Sequence, residues 1–401
     1  MQDRHWIYVA AFLRATGLAM LAILVAAYVH ALDASSAALG AIGASGFAGC
    51  ALASLLVTLR GDRWGRRHVL AALGLLAAAG TLLLAAAGAP WLLCAAAFLG
   101  MFNAMGKDRG AALLLESAAL PATVDDRRRT AAFARYHVAQ DAGHAAGAGA
   151  AALPVLLRAL GIAGLPALQW SIAAAALVLL AGAAVCARLS RAIEAAPHAA
   201  ARSTSTPMSP ATRRVVGRIS LLFLIDAAGG GFLTTSWLSV FFLERFGAEV
   251  GTVAALFAGA RVLNACSHFA AAWLAARIGL VNTMVFAHIP SSLLLLTVAI
   301  APSFPVAAVL FLLREGLVEM DVPTRQSYLM AVVDARDRTR ASGVTSLVRL
   351  CGWALGQAAA GVVGQAALGL SLACGAGLKI GYDLLLFAAF RGQRPPEEAC
   401  R

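Results

Sequence analysis

Glu315 and Glu319 stand one helical turn apart in Leu312-Leu313-Arg314-Glu315-Gly316-Leu317-Val318-Glu319, inside an otherwise apolar stretch. A spacing of four puts both carboxylates on one helix face. Two carboxylates that close in a low-dielectric setting resist being ionised together. A proton carrier needs that property, loading from one side and releasing to the other. Arg314 or Arg349 could set such a switch by approaching in only one conformation; alternatively, the arginines and acids form a static network. Asp141, in another apolar stretch, is a further carboxylate able to carry a proton. Arg14 followed by Gly17 returns at an offset of 212 as Asp226 followed by Gly229. Opposite charges at matching places either face a shared pathway or pair with neighbours in their own half. Lys107, Asp108 and Arg109 are consecutive, so on a helix their side chains fan out by about 100° each and cannot all line one cavity.

The remaining chemistry-bearing residues point away from catalysis. Seven cysteines are scattered without a C-x-x-C pair, which makes them small core filler and leaves no redox or metal motif. His137, His144, His268 and His288 lack the i,i+4 pairing of a metal site. No Walker-type phosphate loop, nucleophile–base pair or cofactor motif stands out. The expectation is a protein that is not an enzyme and holds no cofactor and no metal.

These residues are set in an apolar chain. Hydrophobic residues make up 61% of the sequence, charged residues 13%, and the mean hydropathy is +0.79. A soluble domain could not cover that much apolar surface. Runs near the ~20 residues that span a bilayer recur at 6–31, 37–60, 68–90, 91–118, 131–157, 163–187, 215–243, 250–275, 279–301, 304–330, 341–366 and 368–390. They are too long for barrel strands. The fold class expected is an all-α membrane protein with twelve transmembrane helices in two pseudo-symmetric six-helix bundles.

The basic residues read as intramembrane are Arg14, Lys107, Arg109, Arg261, Arg314, Arg349 and Lys379. The acidic ones are Asp108, Asp141, Asp226, Glu315, Glu319, Asp321 and Asp383. The balance favours internal pairing, because an unpaired intramembrane charge costs a few kcal/mol or more.

The formal charge of +12 does not mark a nucleic-acid binder. Its arginines are spread over separate loops, with clusters at 60–67, 127–129, 188–218 and 336–340, and only Arg158 and Arg245 fall in the alternate connections. That is the positive-inside pattern with both termini cytoplasmic. No cleavable signal peptide is expected, since the first apolar run carries Arg14 and leads into more membrane. Thirty arginines against two lysines, with abundant alanine, indicate a GC-rich bacterial source and a cytoplasmic (inner) membrane.

The heptad 124–130 (VDDRRRT) returns 209 residues later at 333–339 (VDARDRT), and Gly143 and Gly147 return as Gly352 and Gly356. Repetition near the half-length marks a duplicated unit. The domains expected are bundles 1–187 and 215–401, joined by a polar, Pro-rich linker 188–214 that only tethers and orients them. The Gly-x-x-x-Gly steps let helix backbones approach closely.

Asp62-Arg63-Trp64-Gly65-Arg66-Arg67 resembles the D-R-x-G-R-R core of the loop signature of the major facilitator superfamily. Twelve helices in two halves around a long central loop resemble that family along nearly the whole chain. Thr58 replaces the glycine that usually opens the pattern, and the echo in the second half is reduced to Arg277-Ile278-Gly279 after Ala276. The resemblance implies that Asp62, Gly65, Arg66 and Arg67 form a gating latch, using charge-assisted bonds to neighbouring helices. On the fifth helix, Gly143 to Gly149 partly resembles the glycine-rich signature of proton-driven exporters, with Ala148 where their proline stands. The exporters often place an arginine on the fourth helix, which implies Arg109. The implied activity is secondary transport by alternating access, most simply proton-coupled export of a small organic compound by a monomer in a lipid bilayer. Arg14, Arg109, Arg314 and Arg349 are pathway candidates; Asp141, Glu315, Glu319 and Asp226 are proton-coupling candidates. Proton-coupled nutrient uptake and a transport-dead membrane sensor are the alternatives.

Overall fold

The computed structural model describes residues 3–124, 129–162, 164–194, 210–320, 333 and 338–390. The chain is helical, and no strand occurs among the described residues. In order come α1 (Asp3–Ala31), α2 (Ser36–Trp64), α3 (Arg66–Ala86), α4 (Pro90–Leu99), α5 (Ala111–Ala119), α6 (Arg129–Ala150), α7 (Leu153–Ala159) and α8 (Leu165–Cys186). They are followed by α9 (Pro210–Gly231), α10 (Thr235–Phe246), α11 (Val250–Ile278), α12 (Leu280–Ala299), α13 (Phe304–Val318), α14 (Arg338–Gly364) and α15 (Leu368–Phe390). Among the described residues, eight segments are long and apolar enough to cross a membrane by themselves. The repeat heptads fall mostly outside the described residues, as does Asp321.

Three of the expected twelve spans are not single helices. The fifth divides into α6 and α7, where Pro154 sits in the first turn of α7 and has no N–H to continue the ladder. The seventh divides into α9 and α10 at 232–234; there Thr234 is extended, and its hydroxyl caps α10 by accepting from Trp237 N at 3.2 Å. The fourth, expected as one helix over 91–118, opens fully between α4 and α5. Met101 (φ 52°) and Gly106 (φ 62°) adopt left-handed backbone, which ends helical hydrogen bonding. Asn103 then braces the loop, with Oδ1 accepting from Met105 N at 3.0 Å and Nδ2 donating to Lys107 O at 2.5 Å.

The described chain forms two compact units, Met1–Thr206 with Thr234–Ala258, and Pro207–Leu233 with Gly259–Arg401. In the first unit α1 is central and packs on α6, α8 and α10, while α3 lies on α8 and α2 on α4. Nearly every residue of α1 from Ala15 to Val29 is buried, as expected of a helix that is apolar all round. In the second unit α9 packs on α14 and α15, and α12 packs on α13 and α15. The pairings α1 with α6 and α8, and α9 with α14 and α15, are equivalent. They are the internal repeat seen as packing.

The repeated glycines hold these pairings. A Cβ at Gly143 would lie 2.4 Å from Phe12 O, and one at Gly147 would lie 2.1 Å from Thr16 O. A Cβ at Gly352 would lie 2.7 Å from Ala227 Cβ and 2.9 Å from Leu224 O, and one at Gly356 would lie 2.0 Å from Ala228 O. Each step is therefore a backbone-to-backbone crossing that excludes side chains. Arg14 lies between Phe12 and Thr16, and Asp226 lies between Leu224 and Ala228. The two charges occupy the same place in two copies of one crossing.

Candidate functional site

In the first unit the crossing presents Arg14 to the opened fourth span. Its Nε donates to Asp108 Oδ2 at 2.7 Å. Its two terminal nitrogens grip Glu116 on α5 in a fork, at 2.7 Å to Oε1 and 2.5 Å to Oε2. Such bidentate, charge-assisted contacts are the strongest that arginine makes. From α6, Tyr136 OH donates to Glu116 Oε2 at 2.6 Å and Gln140 Nε2 donates to Asp108 Oδ2 at 3.3 Å. One helical turn on, His144 Nε2 accepts the backbone N–H of Asp108 at 2.9 Å. That bond requires an unprotonated Nε2. Asp141 lies 3.9 Å from His144 Nδ1 and is partly exposed.

Opening the fourth span lets this network form. A continuous helix would rotate Asp108 and its neighbours through 100° steps; the loop instead turns Asp108 onto Arg14. Backbone freed in a membrane interior must find partners, and here it does. Ser236 N donates to Ala104 O at 3.1 Å, Thr235 Oγ1 donates to Met105 O at 2.8 Å, and Cys50 Sγ lies 3.1 Å from Met101 O. Beside Arg14 and Asp108 a cavity of about 60 Å³ remains, walled mainly by small and apolar residues such as Leu73, Ala77 and Leu179. That exceeds the ~10–15 Å³ a cavity needs on this measure to admit a water.

In the second unit the equivalent position carries Asp226. Lys379 on α15 donates to Asp226 Oδ1 at 2.9 Å, and Arg349 on α14 lies 3.9 Å from Oδ2. Arg349 also stacks over Trp353, 4.8 Å from the ring centre. Lys379 Nζ is 3.3 Å from His288 Nε2, and His288 Nδ1 is 3.0 Å from Asp383 Oδ1. A carboxylate can only accept, so Nδ1 carries a hydrogen and Nε2 receives the lysine hydrogen. Asp226, Lys379, His288 and Asp383 form one row in which no residue exceeds 9% exposure.

The α13 carboxylates differ from the expected matched pair. Glu315 is buried and bonded by Arg314 NH1, while Asn264 Nδ2 donates to its Oε2 at 3.0 Å and to its carbonyl at 2.8 Å. Glu319 is the C-cap residue at φ −90°, ψ −1°, because α13 ends at Val318, and it is only partly buried. Arg109 lies partly buried in the opened loop.

At the α2–α3 turn Gly65 has φ 85°, and Gly279 at the α11–α12 turn has φ 88°. The echo that is nearly lost in sequence therefore survives as backbone. Glu194 Oε2 accepts from Arg66 N at 2.5 Å and Oε1 from Arg67 N at 3.3 Å, closing the N-terminus of α3. Arg66 NH1 reaches Ala118 O at 3.1 Å and Ile193 O at 3.2 Å. Ser190 bonds Asp3 through its N at 3.0 Å and its Oγ at 2.5 Å. Residues 188–194, expected only to tether, thus pin α1, α3 and α5. The side chain of Asp62 lies outside the described residues.

Arg14, Asp226 and Arg349 are brought into networks, Arg314 with Glu315 into a third, and Gly65, Arg66 and Arg67 into the turn. Glu116, Tyr136, Gln140 and Glu194 escaped the sequence reading. Glu116 was the most accessible of these: it lies eight residues after Asp108, behind three leucines and within the span expected at 91–118. His288 was passed over because its partners are far away in sequence.

The profile of the Major Facilitator Superfamily matches residues 7–378. The nucleoside transporter NupG has a similar fold, with a TM-score of 0.74 at 14% identity over 98% of this chain and 100% of that one. A mutant of the peptide transporter POT in complex with sulfate gives a TM-score of 0.73 at 15% identity over 96% and 93%. A bacterial homologue of the human lysosomal transporter Spinster gives 0.67 at 15% identity over 96% and 94%. In sequence, "Uncharacterized membrane protein YJR124C" of Saccharomyces cerevisiae is 26% identical over 190 residues, which span 47% of this chain and 42% of the yeast protein.

Proposed function

This chain belongs to the major facilitator superfamily, and on that premise we propose that it is a secondary active transporter coupling a small organic solute to protons. Two six-helix bundles, 1–187 and 215–401, would alternate access to a site near the midplane, joined by 188–214. The observation that carries the coupling is the buried row Asp226–Lys379–His288–Asp383. Each member bonds the next, so a proton taken up at one changes the bonds of all. Asp226 is the coupling carboxylate, with Arg349 and Lys379 as the cations that release it. Glu315 and Glu319 are secondary candidates, since Glu315 is held by Arg314 and Asn264. Asp141, beside His144 at the edge of the first network, is the other one.

Arg14 and Arg109 belong to the solute pathway, and Gly65, Arg66 and Arg67 to the gate that Glu194 closes. Export is the direction carried forward, on the partial fifth-helix resemblance, although close packing already accounts for Gly143 and Gly147. The setting is a bacterial cytoplasmic membrane, with both termini inside and the chain working as a monomer.

The test is proton movement in proteoliposomes with an internal pH dye and a panel of labelled organic compounds. A compound-dependent pH change that disappears in Asp226→Asn is the expected result. Compound crossing with no pH change in the unaltered protein would sink proton coupling. Folded protein that moves no compound on the panel would count against transport.

A further inference from the structure

His288 stands between two side chains of opposite charge on α15. Lys379 and Asp383 are four residues apart there, a spacing at which such a pair can meet on one helix face. The imidazole intervenes from α12, with Nε2 3.3 Å from Lys379 Nζ and Nδ1 3.0 Å and 3.1 Å from the two oxygens of Asp383. Tyr382 meets the ring edge-on at 6.3 Å. Lys379 carries its ammonium onward to Asp226 on α9, which Arg349 on α14 faces from the other oxygen. From α13, Leu317 and Met320 pack on Ala287, next to His288 in the chain, while Glu315 is occupied by Arg314 and Asn264. Among the described residues, the row therefore sets two carboxylates and two cations about a neutral ring, and the charges balance.

The acceptors in this row are not held alike. Asp226 has two cations beside it, and Asp383 has the Nδ1 hydrogen against both of its oxygens. Nε2 is held by the ammonium of Lys379. A proton placed on Nε2 makes the ring an imidazolium whose Nδ1 still donates to Asp383, so the new charge keeps a partner. It also sets donor against donor and cation against cation at the Lys379 contact. Lys379 is the side that yields, because it is a compact charge on a four-carbon stem, whereas Arg349 is stacked over Trp353. We infer that His288 is the group of this row that takes up the proton, with Asp383 as its counter-charge, and that loading turns Lys379 away from Nε2 and loosens its hold on Asp226. Before loading, His288 is a positioning residue for Lys379. The inference rests on the proton-coupling reading for its purpose, but the proton and the response of the lysine are measurable without transport.

The two lysines of the chain, Lys107 and Lys379, make the second of these simple to follow. The full-length protein, isotopically labelled in the side-chain nitrogens of histidine and lysine, is reconstituted in lipid bilayers for solid-state NMR. Lys107→Arg identifies the Lys379 resonance, and a through-space correlation to it at alkaline pH identifies Nε2 of His288, 3.3 Å away. As pH falls from about 8 to about 5, the range in which imidazoles change charge, Nε2 is expected to pass from unprotonated to protonated. The Lys379 resonance is expected to shift in the same step, with the Nδ1 hydrogen retained throughout. His288→Gln keeps an acceptor for Lys379 and a donor for Asp383 but takes no proton, and in it the Lys379 resonance is expected to stay fixed. Because that variant could misfold, the unaltered protein decides alone. A ring that stays neutral across the range, a hydrogen on Nε2 at alkaline pH, or a titrating ring beside an unmoved Lys379 resonance would each overturn the inference. Joint titration in a protein whose transport moves no protons would keep this proton site and reject coupling. Proton-coupled transport with a ring that stays neutral would do the reverse.

Discussion

Substituting alanine at Gly147 and at Gly149 tests the geometry of the helix crossing under controlled conditions. Both glycines lie in α6, and both substitutions recover the ~1 kcal/mol helix-propensity penalty of glycine. Around Gly149 nothing lies within 4 Å of the added methyl, whereas at Gly147 it would sit 2.1 Å from Thr16 O. An ordinary carbon–oxygen contact is about 3.3 Å or longer, so α1 and α6 must separate by about 1 Å. Strain of that kind costs typically 1–3 kcal/mol, and here both atoms belong to backbones that have no rotamer with which to yield. The propensity gain cancels between them, so the two variants should differ by about 1–3 kcal/mol, with Gly149→Ala at or above the parent. Thermal unfolding in detergent, followed by intrinsic fluorescence at one scan rate, reads the order directly. Gly356→Ala should repeat the loss in the second unit, since its methyl would fall 2.0 Å from Ala228 O, with Gly377→Ala as the open control. Equal midpoints for Gly147→Ala and Gly149→Ala would refute the reasoning, because then the crossing would not be set by glycine.

Asp226→Asn strands the ammonium of Lys379 in the interior, and the loss of one partner of a buried pair costs about 3–5 kcal/mol. The double variant Asp226→Asn, Lys379→Met should recover a large part of that in the same unfolding assay, and additive losses would deny the pairing. Glu194→Gln retains acceptors but loses the charge at the α3 N-terminus, whereas Glu194→Ala loses both. Hydrogen exchange at the Arg66 and Arg67 amides should be fastest in Glu194→Ala, slower in Glu194→Gln and slowest in the parent, and unchanged exchange in Glu194→Ala would remove the cap.

The fold was readable because lipid leaves few choices. Apolar runs of bilayer length must be helices, and a repeat near the half-length must be a duplication; the Gly-x-x-x-Gly steps then mark which helices touch. The breaks were less visible. Pro154 is an ordinary breaker, but the opening between α4 and α5 turns on left-handed backbone at Met101, a residue that gives no sign of it, and on Asn103 bonding its own loop. Phe102, Ala104 and Met105 keep the first part of that opening apolar, and only Lys107-Asp108-Arg109, between Gly106 and Gly110, marks the rest. Bonds from Thr235 and Ser236, some 130 residues away, allow the loop to persist, and no local pattern encodes them.

The site was readable as an inventory of charges but not as a set of partners. Counting intramembrane charges identifies Arg14, Asp226, Lys379 and Asp383 as residues that must be paired. It does not say that Arg14 takes Glu116 and Asp108 while Asp226 takes Lys379 and Arg349. Those choices follow from the crossings. Each glycine step brings α6 onto α1 and α14 onto α9 at backbone contact, so the residue midway along the step faces whatever the adjoining helices supply. Duplication conserved the crossing while the charge on it reversed, Arg14 in one copy and Asp226 in the other. The surroundings reversed with it: two carboxylates about the arginine, two cations about the aspartate. A single-charge change at either position leaves a buried ion without its partner, which costs several kcal/mol. The two sets thus place opposite charges at equivalent positions on a common frame, each with its own partners.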